Sequence, residues 1–249
     1  MEANSPSSYS SLSSAVHEIN KYLSCSSTGE MSLEFFDLDD KIRDAWEKSS
    51  TISDKEHCIE LATLIPDKDF SRSLLTFFGM ASYEEHEWEI AAYAFMRGAQ
   101  LGDIECKNNL AYMIRRNECS ISEAYTAADL LSLLRPGLEK KEDFSIVNAA
   151  LVMSILLSTE EDWETADRLF AFLPQEPSSV INWWNSLPSN DPERDLVLYW
   201  LSKKEKYTPI ETDNMLFRQE CELHIKNAFP NIPKWFFSSN AVDELAEPN

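Results

Sequence analysis

Ala91-Ala92-Tyr93-Ala94-Phe95-Met96-Arg97-Gly98-Ala99-Gln100-Leu101-Gly102-Asp103 runs directly into Ile104-Glu105-Cys106-Lys107-Asn108-Asn109-Leu110-Ala111-Tyr112-Met113. The first half sets small residues, Ala91, Ala94 and Ala99, at positions that let a neighbouring helix approach closely. Gly102 has no Cβ and suits the left-handed residue that ends a helix. Asp103 suits the cap of the next helix, where its carboxylate can accept from an orphan backbone N–H. The stretch therefore reads as two helices joined by a tight turn.

Working outward, a Ser or Thr followed three residues later by Glu recurs at Ser53 and Glu56, Ser82 and Glu85, Ser120 and Glu123, Ser158 and Glu161, and Thr208 and Glu211. Each pair predicts a helix start, the hydroxyl accepting from the first turn while the Glu reaches back. Pro209 after Thr208 and Pro192 after Asp191 stand at first helical positions, where a missing N–H costs nothing. Apolar stripes follow: Cys58, Ile59, Leu61, Ala62, Leu64 and Ile65 up to Pro66, and Ala124, Ala127, Ala128, Leu131 and Leu134 up to Pro136. The pattern predicts helices over Leu74–Ser82, Glu85–Leu101, Glu105–Arg116, Glu123–Leu134, Phe144–Leu157 and Glu161–Leu173. With 5 glycines and no Asn-Gly or Asp-Gly hairpin turn, a sandwich or barrel is disfavoured.

The character of Asn109-Leu110-Ala111 returns at Asn148-Ala149-Ala150-Leu151, about forty residues on, within the span of paired-helix repeats. Residues 91–113 resemble the helix-turn-helix junction of Sel-one-like repeats, a branch of the tetratricopeptide type. Cys106 stands where the family has Ala, Ala111 where it has Gly, and Pro136-Gly137 interrupts the expected next junction. The resemblance implies a short α-solenoid of antiparallel helix pairs, all-α, serving as a scaffold for protein contacts.

Residues 1–14 are Ser-rich, without the basic and apolar segments of a secretory signal, and read as a flexible leader. Residues 15–70 read as an N-terminal helical cap, including an acidic helix over Met31–Trp46 with Phe35, Leu38, Ile42, Ala45 and Trp46 on one face. The repeats occupy 71–176. Residues 177–249 read as an aromatic-rich C-terminal helical cap with an acidic tail, carrying Trp183, Trp184, Tyr199, Trp200, Trp235, Phe236 and Phe237. The longest apolar run, Val147–Leu157, is too short to span a bilayer.

A formal net charge of -21 disfavours nucleic acid and anionic lipid as partners. It serves solubility alone or attracts a basic protein. Cys25, Cys58, Cys106, Cys119 and Cys221 are widely spaced with no CxxC pair, which fits a reducing cytoplasm and buried thiols. His17, His57, His86 and His224 lie in separate segments, with no paired-His metal spacing. Glu220 and His224 share a helix face and read as an ion pair. Phosphate loops, GxGxxG and GxSxG are lacking, so no residue is assigned to catalysis, a cofactor or a metal.

The placement of carboxylates gives the only candidate site. Glu84, Glu85, Glu87 and Glu89 fall at one interhelical turn, Glu160, Glu161, Asp162 and Glu164 at a corresponding one, with Glu118 and Glu123 between. In a solenoid, equivalent turns line up along one edge, and an acidic rim there would speed encounter with a basic partner. Turns are also polar for ordinary reasons, and Glu favours a first helical turn. Two functions follow: an inhibitor that covers a basic toxin such as a nuclease, as an immunity protein does, or an adaptor that assembles a signalling or secretion complex on its concave face.

Overall fold

The computed structural model describes residues 42–49, 51–65, 67–173, 178–202 and 222–237. Among them the regular structure is helical, with no strand. Contacts divide the chain into two compact units, between Ala124 and Tyr125.

In the first unit, residues 42–47 are helical, followed by α1 (Ile52–Thr63), α2 (Lys68–Glu84), α3 (Trp88–Gln100), α4 (Ile104–Arg115) and a 3-10 turn (Ser120–Ala124). Helix α1 packs on α2 and α3, α2 on α3 and α4, and α3 on α4. Absent side chains let them approach. A Cβ on Gly79 would overlap the Phe95 ring, and one on Gly98 would overlap Cys106. Ala91 and Ala94 are fully buried on the same α3. Of the expected Met31–Trp46 helix only its end is described. Ile42, Ala45 and Trp46 are buried there, and Trp46 stacks on Phe78 with ring centroids 4.1 Å apart.

The turn after α3 follows the reading of Gly102-Asp103. Gly102 has φ 87°. Its N–H donates to Ala99 O, and the Asp103 N–H reaches back to Gly98 O, both at 3.0 Å. This pair of bonds satisfies two orphan carbonyls. The Asp103 carboxylate then accepts from the Cys106 N–H at 2.6 Å, opening α4. The same two-bond closure ends α2, α4 and α5, with left-handed His86, Asn117 and Lys141 in the place of glycine.

The second unit contains α5 (Ala127–Glu139), α6 (Asp143–Leu151), a π-helical turn (Val152–Leu157), α7 (Glu160–Ala171), α8 (Ser178–Ser186) and α9 (Pro192–Ser202). A helical segment at 222–228 and a 3-10 turn (Lys234–Phe237) complete it. Helix α6 packs on α5 and α7, and α8 on α9. The aromatic C-terminal residues build its core. Trp163 meets Phe236 edge-on at 5.2 Å, and Phe170 stacks on Trp200 at 4.3 Å. Trp184, Trp200 and Phe236 are at most 2% exposed.

The helices lie close to their expected positions, but several starts move. Thr51, not Ser53, caps α1, its hydroxyl accepting from the Asp54 N–H at 3.2 Å. Ser82 opens no helix; it is buried inside α2, whose cap is Asp67. Ser120 opens only the 3-10 turn, and α5 starts from the capping box of Thr126 and Asp129. Ser158 is the left-handed residue ending the preceding turn, so its neighbour Thr159 forms the box with Asp162. Asp191 does cap α9, accepting from the Glu193 and Arg194 N–H groups at 2.9 and 3.2 Å. Thr208, Pro209 and Glu211 lie outside the described residues.

Pro136 does not end its helix. Helix α5 runs on to Glu139, forgoing the one bond a proline cannot donate, while Pro136 O still accepts from Lys140 at 3.3 Å. The π-turn is a further departure. The Ser158 N–H donates to Met153 O, five residues back, at 2.9 Å. The Ser154 hydroxyl donates to Ala150 O at 2.8 Å. Leu156 and Leu157, at the end of the expected Phe144–Leu157 helix, are 44% and 43% exposed there. No described helix is long and apolar enough to cross a membrane.

Candidate functional site

Six of the ten candidate carboxylates fall in the first unit and four in the second. In the first, Glu85 and Glu87 converge on Lys55, which α1 carries into the base of the α2–α3 turn. Lys55 Nζ donates to Glu85 at 2.8 Å and also to Glu87, and it lies 5.4 Å from the centre of the Trp46 ring. The lysine side chain is only 9% exposed, against 60% for Glu85. Burial pulls the Lys55 pKa down, but the hydrogen bonds and charges of Glu85 and Glu87 outweigh it, leaving the ammonium above its ordinary 10.5.

Glu89 accepts from the Ser120 N–H and hydroxyl, both at 2.8 Å, tying the 3-10 turn to α3. Glu118 accepts from Arg116 Nε at 2.9 Å and from the Tyr83 hydroxyl at 3.5 Å. Burial holds the Tyr83 hydroxyl well above its usual range and pushes Tyr112 beside it up to about 12. Both rings therefore stay neutral while Arg115 and Arg116 lie 5.6 and 5.3 Å from the face of Tyr112. Glu84 and Glu123 are exposed.

In the second unit all four carboxylates sit on the first turns of α7. Asp162 belongs to the capping box, accepting from the Thr159 N–H at 3.1 Å. Glu164 is 3.9 Å from Arg168, a pair with both partners more than half exposed, which contributes little to stability. Glu160 and Glu161 point into solvent, where their charge opposes the positive end of the helix dipole.

The carboxylates thus separate by role. Glu85, Glu87, Glu89, Glu118 and Asp162 hold the fold's own turns together. Glu84, Glu123, Glu160 and Glu161 are displayed to solvent, and Glu164 only flanks Arg168. The structure brings Glu85 and Glu87 together on one lysine and gathers Glu160, Glu161, Asp162 and Glu164 on one helix.

One polar pair was not legible in the sequence. Asp195 on α9, with a side chain only 4% exposed, accepts from Arg194 Nη1 at 3.1 Å and lies 2.8 Å from His224 Nδ1. It ties the 222–228 segment to α9 through a half-exposed imidazole. Helical spacing pairs His224 with Glu220 instead, and Glu220 lies outside the described residues. A partner 29 residues away carries no local signal.

The thiols of Cys58, Cys106 and Cys119 are buried, and burial raises the pKa of each. They are poor nucleophiles. Cys25 and Cys221 lie outside the described residues. Among the described residues no group of His, Cys, Asp and Glu is arranged to hold a metal. Comparison with protein-family models, curated proteins and solved structures gave no match.

Proposed function

We propose that the chain is a non-enzymatic binding protein whose displayed carboxylates attract a basic protein and neutralise it, as an immunity protein neutralises a nucleic-acid-cleaving toxin. The observation that carries this reading is the net charge of -21, together with exposed Glu84, Glu123, Glu160 and Glu161. Negative charge complements a site built for phosphate, and the summed field steers the encounter. The fold in this proposal is a short Sel-one-like solenoid of antiparallel helix pairs, and three buried thiols suit a reducing cytoplasm.

The adaptor reading draws on a different observation, the α3–α4 junction. There left-handed Gly102 and the Asp103 cap support the tight helix-turn-helix that the Sel-one-like resemblance implies, and Gly98 lies against Cys106. The two readings separate in a capture experiment using the full-length chain and an extract of its own host. The inhibitor reading expects one basic protein, retained in equal stoichiometry and released by salt. Retention of several proteins without regard to charge, and resistant to salt, would overturn it in favour of the adaptor.

A further inference from the structure

We draw no further inference here: the strongest candidate, the exposed Leu156 and Leu157 ledge on the π-helical turn beside Glu160 and Glu161, is an unpartnered apolar face next to an acidic helix start, and nothing in the structure shows what covers it.

Discussion

The two units solve the same packing problem by opposite means. In the first, α2, α3 and α4 are drawn together where side chains are missing, at Gly79 against Phe95 and Gly98 against Cys106. In the second, the core is filled by large rings, with Trp163 meeting both Trp200 and Phe236. Close approach makes a core intolerant of added atoms. A core of rings is intolerant of removed ones.

The largest effect should therefore come from the second unit. Trp163 is fully buried, and Trp163→Ala should cost about 3–5 kcal/mol by lost contacts and the cavity left behind. Chemical denaturation measures this directly; a cost under about 1 kcal/mol would mean the ring cluster collapses into the space. The first unit should fail in the reverse sense. Gly79→Ala adds one methyl group against the Phe95 ring and should cost about 1–3 kcal/mol by overpacking. An unchanged melting temperature would show that the two helices separate freely.

Lys55 gives the comparison a pH dependence. Its folded-state pKa is raised above 10.5. Its contribution is therefore fully present below that pH and is lost as pH rises through the folded value. Lys55→Met should lower the urea midpoint by a constant amount at neutral pH, and the gap from the parent protein should close in strongly alkaline solution. A gap that persists there would show that the lysine acts by packing alone. The smallest effects belong to the turns. Lys141 is left-handed, with φ 59°, which costs about 1–2 kcal/mol for a residue with a Cβ. Allowing for the extra freedom of glycine in the unfolded chain, Lys141→Gly should stabilise by about 0.5–1 kcal/mol. Gly102→Ala should destabilise by a similar amount, and equal signs in thermal melts would refute this account of the turns.

Those turns also show why some of the fold was legible and some was not. At Gly102-Asp103 the residue types match the backbone they adopt, so both the break and the next cap could be read. At His86, Asn117, Lys141 and Ser158 left-handed geometry occurs without glycine, so the residue type does not announce the break. Adjacent hydroxyls blurred the caps: Ser158 and Thr159 are equivalent on paper, and only the second has extended backbone. The helix expected over Phe144–Leu157 is continued past Leu151 by a π-helical turn, which a 3.6-residue apolar period does not distinguish.

For the candidate site, the positions of the carboxylates were legible but their employment was not. Glu85 and Glu87 read as free surface charge until Lys55, some thirty residues earlier, is seen between them. Glu89 is likewise held by Ser120. Long-range polar pairs leave no periodic trace, so the sequence overstates how much negative charge is available to a partner. The exposed carboxylates are the ones on which the functional proposal rests.

That separation sets the most direct measurement. Glu84, Glu123, Glu160 and Glu161 are changed together to Lys, and the association rate with the captured basic partner is followed by stopped flow across a salt series. Steering by the summed field predicts an association rate lower by about tenfold or more at low salt. The difference should shrink as salt screens over about 8 Å at physiological ionic strength, with dissociation and the melting temperature nearly unchanged. If the reversed protein associates at the parent rate in low salt while remaining folded, the displayed carboxylates play no part in recognition, and the account of an acidic inhibitor is wrong.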